Sequence, residues 1–275
     1  MNTYTTSHHP IRLIAVDLDG TLLNTDHHIT PRTRQALSVA GQRGIQVIMA
    51  TGRPRLTTIP YLQELGLTTP GVFMQGLNIY NGDGSLRHNV LMDSETVRKT
   101  AAFAVEHDLT VMIYNHELIA TRYRNAFTDI LQAYHEPLPH EFGDKIIDLP
   151  DQHPVNKLFF IDDPSRIPQI RAALTERIGS HSTLQTSMPQ FLEVLPAGAS
   201  KGAGLKWLLE DMGISPSEVL AIGDGENDIE MIQLARIGVA MGNGNAHLKA
   251  EADYITLSNN EDGVAHAVEK FALGL

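Results

Sequence analysis

Two aspartates stand two residues apart directly after the first strongly apolar run of the chain, in Asp17-Leu18-Asp19-Gly20-Thr21. In an extended chain, residues i and i+2 point to the same side, so both carboxylates can approach one ligand. One carboxylate can act as a nucleophile while its neighbour transfers a proton. A divalent cation could hold the pair and neutralise an anionic substrate. The segment therefore indicates a reaction centre at the end of a buried strand.

A second candidate segment, Thr51-Gly52-Arg53, directly follows the apolar run Ile45–Ala50. A hydroxyl, a glycine amide and the amino end of the next helix suit a phosphate oxygen. Taken alone, the same tripeptide is more typical of a helix cap. It becomes informative only because it follows a strand, as the first segment does.

Two later segments add a lysine and a set of acidic groups. Ser200-Lys201-Gly202 begins a predicted helix, where a lysine can reach a phosphoryl group, although most such lysines are solvated. Gly223-Asp224-Gly225-Glu226-Asn227-Asp228 follows a predicted strand and offers three carboxylates and an amide to a hard cation. An acidic turn that caps the next helix is the ordinary alternative. The joint order of the four segments favours a single site.

The elements that position these segments alternate between strand and helix at both ends of the chain. Apolar strands predicted at Ile11–Val16, Ile45–Ala50 and Gly71–Met74 are separated by helices, and the same alternation returns from Ser200. Such continuous apolar strands are typical of a parallel sheet covered on both faces. Ligands of doubly wound sheets bind beyond the carboxyl ends of the strands, where all four segments are expected.

The middle of the chain has a different pattern. After the turn signal Asn81-Gly82-Asp83-Gly84, strands follow one another more closely, and Val111–Asn115 and Leu118–Arg122 are predicted to form a hairpin. We predict an α/β protein with a doubly wound parallel-sheet (Rossmann-like) core. That core would comprise residues 1–82 and 196–275, and an α+β cap domain of residues 83–195 would be inserted in it.

Composition limits the possible partners. The formal net charge of −11 argues against a protein that binds the backbone of nucleic acids. The absence of cysteine excludes disulfides and thiolate metal sites and fits a reducing compartment. No apolar run is long enough for a membrane span, and the polar first ten residues lack the pattern of a signal sequence. We predict a cytoplasmic monomer or small homo-oligomer that binds neither nucleic acid nor membrane.

Together, the four segments resemble the haloacid dehalogenase-like (HAD) hydrolase superfamily, in its Cof-type phosphatase branch with a large C2-type cap. Further matches to that branch are Val239-Ala240-Met241-Gly242-Asn243, Lys249, Ala252-Asp253 and Glu261-Asp262-Gly263-Val264. One segment departs from the branch, because Gln75-Gly76-Leu77 stands where Asn-Gly-Ala is usual, near the expected substrate entrance.

The resemblance implies a phosphatase that uses Mg²⁺ and hydrolyses a small phosphomonoester through an aspartyl-phosphate intermediate. It makes Asp17 the nucleophile, and Asp19 the acid that protonates the leaving alcohol and then activates water. The residues implied to hold the phosphoryl oxygens are Thr51, Gly52 and Lys201, with Asn227 as a helper. The implied ligands of Mg²⁺ are Asp17, the backbone carbonyl of Asp19, Asp224 and Asp228. Asp228 would contact the ion either directly or through one of its other ligands.

The sequence alone leaves several functions open. The substrate is predicted to be a small phosphorylated metabolite, such as a sugar phosphate, flavin mononucleotide, pyridoxal phosphate or a nucleotide monophosphate. A phosphotransferase or phosphomutase would use the same core with a hydroxyl in place of water as acceptor. A non-catalytic regulator that binds phosphate and metal would not need Asp19 or a large cap, and a structural module would not need an intact Asp17 and Lys201.

Overall fold

The computed structural model describes residues 10–134 and 136–275, so the predicted polar tail lies outside the described residues except for Pro10. The chain divides into two compact units. The first comprises the described residues up to Gly52, with Pro60–Ser85 and Ser200–Leu275. The second comprises Arg53–Ile59 and Leu86–Ala199. The domain boundaries given above, and the roles of core and cap, stay predictions.

The strands and helices are numbered in chain order. The strands are β1 (Leu13–Val16), β2 (Gln46–Met49), β3 (Gly71–Phe73), β4 (Asn78–Tyr80), β5 (Leu86–Asn89), β6 (Thr110–Tyr114), β7 (Ile119–Thr121), β8 (His140–Glu141), β9 (Lys157–Ile161), β10 (Ser182–Met188), β11 (Phe191–Pro196), β12 (Val219–Gly223), β13 (Ile237–Ala240) and β14 (Tyr254–Ile255). The α-helices are α1 (Pro31–Gln42), α2 (Ile59–Glu64), α3 (Ser94–Glu106), α4 (Ala126–Asp129), α5 (Ile167–Ile178), α6 (Lys201–Met212), α7 (Ile229–Leu234), α8 (Ala246–Glu251) and α9 (Gly263–Val268).

The first unit contains a five-stranded parallel sheet in the order β14-β13-β12-β1-β2. Strand β1 lies between β12 and β2, and its residue Leu13 is in register with Val219 on one side and Gln46 on the other. Strand β3 lies beside the end of β2, where Ala50 and Val72 form a parallel bridge, and it pairs with β4 as an antiparallel hairpin.

Both faces of the parallel sheet are buried, as the continuous apolar strands predict. Ile14 and Val16 of β1 belong to an apolar cluster with α1 and α9 on one face. Leu13 and Ala15 point to the other face and belong to a second cluster with α6, α7 and α8. This alternation within a fully buried strand confirms the predicted α/β class with a doubly wound parallel-sheet core.

The second unit contains a six-stranded sheet in the order β10-β11-β9-β6-β7-β8. Its pairs are antiparallel except for β7 and β8, and the predicted hairpin is confirmed by the register of Tyr114 with Ile119. Leu158 and Phe160 of β9 belong to one apolar cluster with residues of α3 and α5.

Among the described residues of the whole chain, no helix has both the length and the apolar composition needed to span a membrane.

Candidate active site

The strand ends place three of the predicted segments at one edge of the parallel sheet. Asp17 directly follows β1, Thr51 follows the end of β2, and Asp224 directly follows β12. Because β2, β1 and β12 are neighbours in a parallel sheet, their carboxyl ends meet at the same edge. The backbone N–H of Asp17 donates to the carbonyl of Ile222 at 3.0 Å, which continues the strand pairing up to the site.

The chain turns sharply after Asp17 in a single irregular turn, Leu18–Leu22. Gly20 has a φ of +76°, and a Cβ at this position would lie 2.4 Å from Oδ2 of Asp224, so any other residue would be strained and would displace that carboxylate. Thr21 Oγ1 donates to Asp224 Oδ1 at 2.9 Å. Asp19 is half-buried within this turn and has extended backbone angles. The turn thus brings the loop after β1 against the loop after β12.

Lys201 occupies the first position of α6. The helix begins there because the Ser200 side chain caps it, accepting a hydrogen bond from the N–H of Ala203 at 3.0 Å. The ammonium group lies 2.6 Å from Asp17 Oδ1 and 2.7 Å from Asp228 Oδ1, and all three residues are buried. The predicted lysine is therefore not a solvated residue at a helix start.

Asp228 links the lysine to the loop after β12. Its Oδ2 accepts hydrogen bonds from the N–H groups of Asp224 and Gly225, at 3.0 and 2.9 Å. Its Oδ1 contacts Lys201, as described above. Asp228 therefore uses one oxygen to shape the acidic loop and the other to pair with the lysine.

The site has more buried negative charge than its lysine can balance. Oxygen atoms of Asp17, Asp224 and Asp228 lie within 4.8 Å of one another. Burial raises the pKa of Asp17 well above its ordinary value, even though Lys201 opposes the shift. Burial, with the nearby Asp228, raises the pKa of Asp224 to about 6. Burial alone would lower the pKa of Lys201, but Asp17 and Asp228 outweigh it and raise that pKa.

These three carboxylates could hold a divalent metal ion. Hard divalent cations prefer oxygen ligands, and the excess of negative charge over Lys201 is what such a cation would neutralise. The carboxylate of Asp19 is not part of this group of three. The backbone carbonyl of Asp19 stays a predicted ligand of the metal ion.

The remaining predicted residues lie next to a glutamine. The carbonyl of Thr51 accepts the N–H of Gln75 at 3.2 Å, and Asn227 Nδ2 donates to Gln75 Oε1 at 3.1 Å. A Cβ on Gly52 would lie 2.7 Å from Gln75 Nε2. The sequence signal for Gln75 was its departure from the Asn-Gly-Ala pattern, which marked the position without giving it a role.

Two polar contacts of the site could not be predicted from the sequence. Thr21 binds Asp224, and Asn243 Nδ2 donates to the carbonyl of Gly20 at 2.8 Å. Asn243 was recognised only as part of a matching segment, because no spacing rule connects residues so far apart in the chain.

Comparisons with known proteins identify relatives of this chain. The model of the family "haloacid dehalogenase-like hydrolase" matches residues 14–268. The chain belongs to the haloacid dehalogenase-like hydrolases. A putative phosphatase of Bacillus subtilis, YxeH, is 32% identical, over 95% of this chain and 98% of that protein. A solved structure of a haloacid dehalogenase-like hydrolase from Bacteroides thetaiotaomicron has a TM-score of 0.86 and 33% identity, covering 94% of this chain and 99% of that one.

A third relative is longer than this chain. The chloroplastic protein of Arabidopsis thaliana named endoribonuclease YBEY is 36% identical over 94% of this chain, which spans only 46% of that protein. Because more than half of that relative lies outside the match, its name assigns nothing to this haloacid dehalogenase-like chain. The predicted family is confirmed by the family match and by relatives that align with this chain over nearly their whole length. The predicted enzyme class, a HAD-type hydrolase of phosphoric monoesters, is confirmed with it.

Proposed function

We propose that the protein is a Mg²⁺-dependent phosphatase that hydrolyses a small phosphomonoester through an aspartyl phosphate on Asp17. The observation that carries this proposal is the pairing of buried Asp17 with Lys201, beside the carboxylates of Asp224 and Asp228. Phosphoryl transfer mainly needs an in-line nucleophile and positive charge beside the phosphoryl oxygens, and this group of residues offers a carboxylate and an ammonium group.

In the first step, a carboxylate oxygen of Asp17 forms a bond to phosphorus while the bond from phosphorus to the ester oxygen breaks. Asp19 gives its proton to the leaving oxygen, so that an alcohol departs. In the second step, a water molecule gives a proton to Asp19 and attacks phosphorus, and the bond to Asp17 breaks. Phosphate is released, and both aspartates return to their starting protonation states.

Residues at this edge of the sheet bind the phosphoryl group. Lys201 supplies a fixed positive charge. Thr51, Gly52 and Asn227 supply a hydroxyl, a backbone amide and a side-chain amide from the loops after β2 and β12. Mg²⁺, held by Asp17, Asp224, Asp228 and the carbonyl of Asp19, would neutralise phosphoryl oxygens and reduce repulsion between the substrate and the carboxylates.

The proposal is tested by measuring phosphate release from p-nitrophenyl phosphate and from a panel of sugar phosphates, flavin mononucleotide, pyridoxal phosphate and nucleotide monophosphates. Each assay is run with Mg²⁺ and with EDTA, for the wild type and Asp17→Asn. We expect turnover that needs Mg²⁺ and disappears in the variant. Asp26→Asn is the matched control, because it makes the same change in an exposed loop residue and should leave turnover intact.

The result that would overturn the proposal is turnover that survives in Asp17→Asn or in EDTA. Substrate loss without matching release of phosphate, and with growth of a second phosphorylated product, would instead identify a phosphotransferase or phosphomutase.

A further inference from the structure

The turn after β3 has an unusual backbone. Met74, Gln75 and Gly76 all have left-handed φ angles, of +51°, +59° and +88°. Side chains disfavour this region, and two consecutive non-glycine residues in it are uncommon. Such strain persists only where surrounding contacts hold it, and it is concentrated at functional sites. Gln75 is also buried, with 1% of its surface exposed.

The backbone of this turn contacts two of the segments proposed to bind phosphate. The N–H of Gln75 donates to the carbonyl of Thr51 at 3.2 Å. Gly76 packs against the start of α6, where a Cβ on this glycine would lie 2.1 Å from the carbonyl oxygen of Ser200. Ser200 precedes Lys201, so the turn fixes the end of α6 that carries the lysine.

The Gln75 side chain spans two of the loops at this edge of the sheet. Its Oε1 accepts a hydrogen bond from Asn227 Nδ2 at 3.1 Å, which sets the direction of the Asn227 amide. Its Nε2 lies 2.7 Å from the position of a Cβ on Gly52, so a side chain at residue 52 would displace the amide. One buried amide thus contacts both the loop after β2 and the loop after β12.

We propose that Gln75 is a positioning residue for the phosphoryl group, acting through the hydrogen bond of its side chain to Asn227. The inference rests on the proposed function for the identity of the ligand, a phosphate oxyanion. Gln75 holds the Asn227 amide in one orientation before phosphate arrives, which lowers the cost of ordering that contact on binding. Its role concerns phosphate rather than the metal, because the side-chain hydrogen bond that carries it goes to Asn227, a proposed phosphate ligand.

The test compares two dissociation constants in Gln75→Met, which keeps the length of the side chain and removes its amide. Calorimetry measures the binding of Mg²⁺ alone, and then of inorganic phosphate in saturating Mg²⁺. We expect the phosphate dissociation constant to rise about 3- to 10-fold, as for the loss of one hydrogen bond. The Mg²⁺ dissociation constant should stay within about two-fold of the wild type. Gln233→Met is the control, since that exposed amide bonds to Glu251.

A double-mutant cycle separates positioning from a general loss of structure. Asn227→Ala is combined with Gln75→Met, and the double variant should bind phosphate no more than about two-fold less tightly than Asn227→Ala alone. If Gln75→Met does not fold, the same cycle is run with Gln75→Asn. Asparagine suits a left-handed backbone and shortens the side chain by one methylene.

Additive effects in the cycle, or an unchanged phosphate dissociation constant in the folded Gln75 variant, would overturn the inference. Equal weakening of Mg²⁺ and phosphate would also overturn it, because it would indicate a structural role only. Failure of the proposed function has a different signature: the wild type would bind phosphate with this dependence on Gln75 and yet hydrolyse no ester.

Discussion

At the residue scale, Lys201 balances two buried carboxylates at once. Its ammonium contacts Asp17 and Asp228 while all three residues have almost no exposed surface. A buried ion pair of this kind contributes little net stability compared with apolar residues, but removing one partner leaves the other charges uncompensated. The lysine therefore matters to folding as well as to the proposed binding of phosphate.

We expect Lys201→Met to destabilise the metal-free protein by about 3–5 kcal/mol, because two buried carboxylates lose their counter-charge. Urea unfolding in EDTA measures the change in the free energy of unfolding. Lys206→Met, at an exposed position on the same helix, is the control and should change it by no more than about 0.5 kcal/mol. Adding Asp228→Asn to Lys201→Met should recover part of the loss. Full stability in Lys201→Met alone would mean that the ion pairs have no structural role.

The raised pKa of Asp224, about 6 against an ordinary 3.8, predicts how pH affects stability. The folded protein holds this proton more tightly than the unfolded chain, so its contribution to stability is present below the ordinary pKa and lost as pH rises through about 6. A metal ion needs the ionised carboxylate, so stabilisation by Mg²⁺ should increase over the same range.

We therefore expect Mg²⁺ to raise the melting temperature clearly at about pH 7.5 and only slightly at about pH 5. Thermal unfolding with Mg²⁺ or EDTA at each pH measures the difference. Asp224→Asn, which removes one proposed ligand, should reduce the rise in melting temperature at about pH 7.5. An equal rise at both pH values would contradict the assignment of Asp224 as a ligand.

At the element scale, the junction between the β3 turn and α6 leaves no space. Gly76 approaches the backbone of Ser200, which cannot move without displacing the start of α6. We expect Gly76→Ala to destabilise the protein by about 2–4 kcal/mol, from strain at positive φ and from the clash with backbone.

Gly41→Ala is the matched control for that change. Gly41 lies within α1 at a helical φ, and a methyl group there would meet no atom within 4 Å. Alanine at this position should therefore stabilise the protein by about 0.5–1 kcal/mol. Chemical unfolding of both variants compares them. A similar effect of the two substitutions would mean that the β3 turn can relax away from α6.

The sequence predicted best those elements whose signals are local. Helix α6 begins at the predicted segment because Ser200 is a strong cap, and Gly213 ends the helix in a left-handed conformation. Strand β10 was missed because its sequence, Ser182–Met188, is polar and has no clear alternation, and it lies at the edge of its sheet. Residues 137–154 include four prolines and show no clear periodicity, although they contain β8 and a 3₁₀ segment, Gly143–Asp151.

The same distinction applies to the site. Asp17, Thr51 and Asp224 could be placed from strand ends alone, since parallel strands present their carboxyl ends together. The contact of Lys201 with Asp228 and that of Asn243 with Gly20 depend on how loops and helices pack. No periodicity or cap signal encodes such pairings, so only the folded structure could supply them.

At the scale of the whole molecule, each of the two compact units has apolar clusters of its own. The residues of the proposed metal and phosphate site all belong to the first unit, as does Trp207, the only tryptophan of the chain. Fluorescence of Trp207 therefore follows unfolding of the unit that would bind the metal.

We expect saturating Mg²⁺ to stabilise the first unit by about 2.7 kcal/mol at a concentration one hundred times its dissociation constant. In urea, the transition seen by Trp207 fluorescence should shift to higher concentration, while part of the transition seen by far-ultraviolet circular dichroism stays in place. Equal shifts of both signals would mean that the two units unfold as one cooperative body.

Capture of the phosphoryl group on Asp17 would show the covalent intermediate itself. Asp19→Asn should slow hydrolysis of the aspartyl phosphate but not its formation from p-nitrophenyl phosphate, whose leaving group needs no acid. Rapid mixing with this variant should give a burst of p-nitrophenol equal to the enzyme concentration. Mass spectrometry after acid quenching should then find one phosphoryl group on the peptide that contains Asp17. Release of p-nitrophenol with no covalent phosphate on the protein would exclude an aspartyl phosphate on Asp17.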